Sequence, residues 1–98
     1  MEREAVLEMV KKVVLAALLE YDVKIYLFGS WARQSEKRSS DIDIAIGHEG
    51  ALPATVLPEL RTMLEESNIP YRIDVLDLTL AEDFLRRKVI KEGIAWRA

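Results

Sequence analysis

Three aspartates lie in stretches of the 98-residue chain that otherwise read as buried strands. Asp41 and Asp43 alternate with isoleucine in DIDIAI (Asp41 to Ile46), and Asp74 stands in YRIDVL (Tyr71 to Leu76). Side chains along a strand point alternately to its two faces. Asp41 and Asp43 therefore share one face, while Ile42, Ile44 and Ile46 form the core face. The two carboxylates stand roughly 7 Å apart by strand rise. Their repulsion is about 0.6 kcal/mol in bulk water and about 2–3 kcal/mol at an effective dielectric near 20. A face open to water tolerates such a pair as a solvated sheet edge, whereas a face lining a cleft calls for a cation. Magnesium suits the second case, because it binds one or two carboxylates and takes further ligands from substrate phosphates. Asp is disfavoured in strands, so two in one short strand ask for a reason. A suitable register would bring Asp74 to the same place. Asp77 is the competing third acid, but it lies at the strand end and faces the opposite way.

Gly29-Ser30 ends the apolar stretch VKIYLF (Val23 to Phe28). Glycine lets a ligand approach the backbone. N–H groups at a helix start suit an anion, and Ser30 adds a hydroxyl. Gly-Ser is also an ordinary turn, and it is no Walker A loop, because no Gly-Lys-Ser/Thr follows. Acids for magnesium beside a phosphate cradle would make a nucleotide site. Arg33 could reach a phosphate or brace the acids, and Ser40 could position the strand end or touch a phosphate. Trp31 suits packing beside the turn better than stacking on a base. Lys37 and Arg38 read as a solvated loop, and the single histidine, His48, as incidental.

The elements that must position these residues follow from periodicity. Glu2 to Glu20 carries apolar residues at helical spacing (Val6, Met9, Val10, Val13, Val14, Ala17, Leu18). Val23 to Phe28 is a strand by its β-branched and aromatic content. Trp31 to about Ser35 can hold a short helical turn capped by Ser30. Asp41 to Ile46 is the second strand, and Gly47 to Pro53 a loop. A helix spans about Ala54 to Ser67, with Pro58 in its first turn and Leu57, Leu60, Met63 and Leu64 inward. Tyr71 to Leu76 is the third strand. Thr79 to Glu82 has capping-box spacing. The helix that follows runs to about Glu92, with Phe84, Leu85, Val89 and Ile90 as core and Gly93 as its C-cap. The order predicts one domain over residues 1–98, a small α+β (α/β-like) fold. Its sheet is three-stranded, with helices mainly on one face. Ile94 and Trp96 remain as an apolar end, which either docks on the sheet or forms a partner or oligomer surface; we favour the surface.

Composition narrows the classes. The chain is 50% hydrophobic and 32% charged, as globular domains are. A net charge of −3 argues against binding duplex nucleic acid through its phosphates. The absence of cysteine excludes thiolate zinc sites and disulfides and suits a cytoplasmic home. The longest apolar run, Val13 to Leu19, is too short to span a membrane, and charges near the start do not fit a secretory signal.

The spacing Gly29-Ser30, ten residues, then Asp41-Ile42-Asp43 resembles the signature of the polymerase beta-like nucleotidyltransferase superfamily. GSWAR…SDIDIAI is most similar to its minimal nucleotidyltransferase (MNT) branch, whose members are often paired with a helical HEPN protein. Gln34 departs from the glycine that many relatives carry after the arginine. The resemblance implies a small nucleotidyltransferase fold with a mixed sheet. It also implies two-Mg2+ transfer of a nucleoside monophosphate, AMP from ATP, to an acceptor hydroxyl. Asp41 and Asp43 would hold both ions. Asp74 would complete one of them and help take the acceptor's proton. Gly29 and Ser30 would hold the triphosphate. In HEPN/MNT toxin–antitoxin pairs the acceptor is a tyrosine of the toxin. The first alternative is a non-catalytic antitoxin that blocks its HEPN partner by contact, motivated by Ile94 and Trp96. The second, a small-molecule nucleotidyltransferase, is disfavoured because little chain remains to build a second pocket.

Overall fold

The computed structural model of the protein describes residues 2–98. Its elements run α1 (Arg3–Ala17), β1 (Val23–Phe28), β2 (Ile42–His48), α2 (Val56–Glu66), β3 (Ile73–Asp77), a 3-10 turn (Leu78–Leu80), α3 (Asp83–Glu92) and β4 (Ile94–Arg97). The strands form one mixed sheet in the order β3-β2-β1-β4. β1 is antiparallel to β2 and β4, while β2 and β3 are parallel, with α2 as the crossover between them.

Alternation along the strands divides the side chains between two layers. Ile25, Leu27, Ile42, Ile44 and Ile46 bury one face under α1 and α2. α1 meets them with Val6, Val10 and Val14, four residues apart on one stripe. α2 contributes Leu57, Leu60 and Leu64, while Met63 stays 43% exposed. Each fully buried Ile or Leu is worth about 1.5–3 kcal/mol, so this face dictates the register. The opposite face carries a smaller cluster of Tyr26, Ala45, Leu78 and Val89, and α3 and the 3-10 turn cover it. Two helices thus share one face, as expected, and α3 takes the other.

Several local expectations are corrected. The sheet has four strands, not three. Ile94–Arg97 pairs with β1 as an edge strand; Trp96 packs against the main core, while Ile94 stays 46% exposed. Gly93 is the C-cap of α3, as expected, with its N–H bonded to the Val89 carbonyl, but its backbone is extended (φ −77°, ψ 168°) rather than left-handed. Glycine is needed there because a Cβ would lie 2.5 Å from the Val89 carbonyl oxygen and 2.9 Å from that of Leu27. The capping box does not form. Glu82 is the N-cap of α3 and makes no side-chain cap, while the Thr79 hydroxyl bonds the His48 backbone instead. The segment after Ser30 is a run of turns closed by the Gly29 and Ser30 carbonyls, with no helix and no Ser30 side-chain cap. Phe84 and Ile90 are 73% and 57% exposed, so only Val89 and, in part, Leu85 anchor α3.

His48 is not incidental to the fold. The parallel register puts Asp77 opposite Ile46, on the isoleucine face. His48 Nε2 meets the Asp77 carboxylate at 3.1 Å, and Nδ1 meets the Gly50 carbonyl at 2.6 Å. Asp77 also accepts from the Thr79 backbone N–H at 3.0 Å. This cluster ties the end of β2 to the β3 exit. At the other edge, Arg61 donates to the outward Val75 carbonyl at 2.9 Å and covers part of the free side of β3. No helix among the described residues is long and apolar enough to cross a membrane.

Gly93→Ala should destabilise the protein by about 1–3 kcal/mol, because backbone on both sides must shift. Urea unfolding checks this, and an unchanged midpoint would contradict it. The Gly50 carbonyl, and then Asp77, raise the His48 pKa against the opposing effect of burial. A raised folded pKa gives stability that is complete below the unfolded value near 6.5 and fades as pH rises through the folded value. The protein should therefore unfold at lower temperature at pH 8 than at pH 6, and His48→Gln should flatten that slope. Equal slopes in the two proteins would refute the assignment.

Candidate active site

On the face covered by α3, the register sets Phe28, Asp43 and Asp74 in one row across β1, β2 and β3. Phe28 is the antiparallel partner of Asp43, and Asp43 is the parallel partner of Asp74. Neighbouring strands lie about 4.8 Å apart. Two carboxylates at that spacing repel by about 3 kcal/mol at an effective dielectric near 20. Asp41 stands just before β2, two residues from Asp43. Asp43 is partly buried, and its pKa is raised first by that burial, then by Asp74 and Asp41, with Arg33 pulling the other way. Asp74 is more exposed, and its carboxylate pairs with Arg72 Nε at 3.4 Å.

The Gly29 turn abuts this row. Gly29 has φ +74°, a left-handed conformation that favours glycine. A Cβ at this position would collide with Asp43 Oδ2. The turn and the carboxylate are therefore in direct contact, and any side chain at Gly29 would fill the space before Asp43. Gln34 also has a positive φ, +58°. The loop keeps the left-handed shape that glycine would supply, at a cost of roughly 1–2 kcal/mol.

The turn is fixed from several sides. Trp31 is buried; its Nε1 donates to the Ser40 carbonyl at 3.3 Å, and its ring meets Tyr71 edge-on at 4.9 Å. Trp31 is thus a packing residue, as read from the sequence. The Ser40 hydroxyl accepts from the Lys37 N–H at 2.8 Å. Arg3 braces the turn from α1. It donates to the Trp31 carbonyl, pairs with Glu36 at 2.9 Å, and lies 5.9 Å from the centre of the Trp31 ring. The second Glu36 oxygen is buried without a partner. Arg3 and Arg72 were not singled out in the sequence. Arg3 lies 28 residues from Trp31 and forms no motif with it, so only the fold reveals the contact.

A cleft of about 610 Å3 runs along β3, with Phe28, Tyr71, Arg72, Asp74, Leu76 and Leu85 among its walls. That volume is within the range of small-ligand sites. A smaller cavity of about 150 Å3 adjoins Gly29 and Arg33 and shares Phe28 and Leu85 with the cleft. Among the described residues, no three acidic or histidine side chains converge tightly enough to bind an ion as they stand. The donor set nonetheless fits a hard divalent cation. Asp41, Asp43 and Asp74 offer only oxygen, Asp43 and Asp74 are cross-strand partners, and the missing Gly29 side chain leaves room before Asp43. Gly29 and Arg33 thus stand beside the acids, with Ser30 and Ser40 in the same loop.

Residues 15–95 match the family model described as polymerase beta, nucleotidyltransferase. Over 82 residues the chain is 35% identical to the probable protein adenylyltransferase MntA of Haemophilus influenzae, covering 83% of this chain and 69% of that protein. A crystal structure of a toxin–antitoxin complex with AMP-PNP superposes with a TM-score of 0.70 at 29% identity, over 88% of this chain and 71% of the other. A structure of tri-AMPylated Shewanella oneidensis HEPN toxin in complex with MNT antitoxin superposes with a TM-score of 0.64 at 26% identity, over 91% and 70% of the two chains. The family match spans both the Gly29 turn and the three aspartates, and the chain belongs to the polymerase beta nucleotidyltransferase family.

Proposed function

We propose that the protein is a protein adenylyltransferase that moves AMP from ATP to a hydroxyl of a helical HEPN-type partner, acting as the antitoxin of a HEPN/MNT pair. The observation that carries this reading is the contact between the Gly29 turn and Asp43 in the Asp43–Asp74 row. The relatives support the donor and the partner: one is named for protein adenylyl transfer, and the similar complexes hold AMP-PNP or an AMPylated HEPN toxin.

The chemistry is a phosphoryl substitution. The acceptor oxygen forms a bond to the α-phosphorus, the bond to pyrophosphate breaks, and the acceptor's proton leaves to a base. Asp41 and Asp43 would hold divalent ions, two Mg2+ in this reading, and Asp74 would complete their ligand set. Such ions, when bound, polarise the phosphoryl group and neutralise charge on the leaving pyrophosphate. The exposure of Asp74, greatest of the three, and its position on the cleft along β3 support it as the group that meets an incoming hydroxyl and takes its proton. The Gly29 and Ser30 backbone N–H groups and Arg33 orient the triphosphate. Ser40 contributes through the loop that leads into Asp41.

The contact-only antitoxin had its motive in a free apolar end at Ile94 and Trp96. Those residues belong to β4; Trp96 packs on the core, which removes half of that motive, while Ile94 stays exposed at the sheet edge.

With magnesium, labelled ATP and the co-purified partner, wild-type protein should transfer AMP to the partner. Asp41→Asn combined with Asp43→Asn should cut the rate at least about 100-fold. Equal labelling by both proteins would remove the catalytic assignment. Stability gives a second test. Magnesium should raise the melting temperature of wild type. In EDTA, Asp43→Asn should melt higher than wild type, because it relieves the repulsion, by about 4–8 °C per kcal/mol relieved. It should also lose most of the magnesium shift. A lower melting point in EDTA together with an intact shift would count against the site.

A further inference from the structure

β3 lies at the edge of the sheet, and the 610 Å3 cleft runs along it. The walls of the cleft include every residue from Arg72 to Leu76. Successive side chains of a strand point to opposite faces, so a cleft that meets all of them is open along the backbone edge and on both sides of it. Hydrogen bonding shows which backbone groups face it. The Arg72 carbonyl accepts from the Ile42 N–H at 2.9 Å, so Arg72 and Asp74 turn their backbone groups towards β2. The N–H and carbonyl groups of Ile73 and Val75 then point outward. The Val75 carbonyl is met by the guanidinium of Arg61, an exposed side chain that an incoming backbone N–H can replace. A row of outward backbone donors and acceptors is matched group for group by another extended chain.

Resting on the nucleotidyltransferase reading, we infer that the acceptor protein presents its hydroxyl on an extended segment that adds to the free edge of β3. The register says where the hydroxyl falls. Phe28, Asp43 and Asp74 form a row across three strands, and an added strand supplies the next member of that row about 4.8 Å from Asp74. The side chain of that member points to the face of Asp74, into the half of the cleft walled by Phe28, Leu76 and Leu85. The residues on either side of it point to the other face, against Leu64 and Ile69, and apolar side chains suit them. Charge sets a further contact. Arg72 stands two residues from Asp74 on the same face, its side chain is 77% exposed, and it pairs with Asp74 at 3.4 Å. An acidic side chain opposite Arg72, two residues from the hydroxyl, would draw the guanidinium off Asp74 and free that carboxylate to meet the hydroxyl. The segment that fits this edge thus alternates acid, apolar, hydroxyl, apolar.

The test is hydrogen exchange of backbone amides in the full chain, read without and with the partner, alongside AMP transfer. Ile73 and Val75 should exchange at least about tenfold more slowly in the complex, while the amides of β4, at the other edge of the sheet, should be unchanged. Ile73→Pro removes an outward N–H at a position where an edge strand accepts proline, and it should cut AMP transfer at least about tenfold. Magnesium-dependent ATP binding by this variant should stay within about twofold of wild type, as a folded chain requires. Unchanged Ile73 and Val75 amides in a sample that labels its partner would overturn the edge docking and leave the nucleotidyltransferase reading standing. The same slowing in the chain alone at high concentration would assign the edge to a second copy and would also overturn the docking. Wild-type protein that transfers no AMP would overturn the nucleotidyltransferase reading and the acceptor assignment together.

Discussion

The structure turns on a repulsion that its own register enforces. The isoleucine face of β2 is buried under α1 and α2, and sliding the strand by one residue would expose it. With that face committed, Asp43 must point to the other side. The parallel β2–β3 pairing then sets Asp74 directly beside it. Hydrophobic burial of several residues, each worth about 1.5–3 kcal/mol, outweighs a like-charge pair costing about 3 kcal/mol. The core therefore holds the acids in a place they would not choose, and this makes them a candidate site for cations.

Other features are arranged around that row. Gly29 gives up a side chain so that the first turn can touch Asp43. Gln34 accepts a left-handed backbone to return the chain, and Arg3 and Trp31 hold the loop against α1 and Tyr71. The opposite end of the sheet has a different task. There His48, Asp77 and Thr79 satisfy one another and fasten the parallel crossover. Both ends use aspartate, but Asp77 lies on the isoleucine face with its partners, whereas Asp74 lies on the α3 face beside a charge of its own sign, with exposed Arg72 as its ion-pair partner. Face, rather than residue type, separates the structural acid from the candidate catalytic one.

Much of this was legible in the sequence because it rests on short-period alternation. VKIYLF and DIDIAI announce their strands, and the parity of Asp41, Asp43 and Asp77 follows by counting. The spacing from Gly29 to Asp43 carries the family. What was not legible depends on contacts between distant segments. Ile94–Arg97 has only four residues and no alternation long enough to read as a strand, so β4 appears only once β1 offers it an edge. Thr79 has capping-box spacing, yet the His48 backbone competes for its hydroxyl and wins. Phe84 and Ile90 were read as core from hydropathy. Lys88 and Glu92, one and three residues from Val89, are exposed and leave α3 only a narrow apolar stripe. Arg3 and Arg72 had no signal at all, since each acts across a fold the sequence does not display.

Divalent-cation binding is proposed for the Asp43–Asp74 row, beside the Gly29 turn. The most direct measurement is paramagnetic broadening of backbone amide signals as Mn2+ is added in place of Mg2+. The amides of Gly29, Asp43 and Asp74 should broaden first and recover when excess magnesium competes, while those of His48 and Thr79 at the far end of the sheet stay sharp. Broadening that begins at the far end, or that leaves Gly29, Asp43 and Asp74 unaffected, would contradict the account.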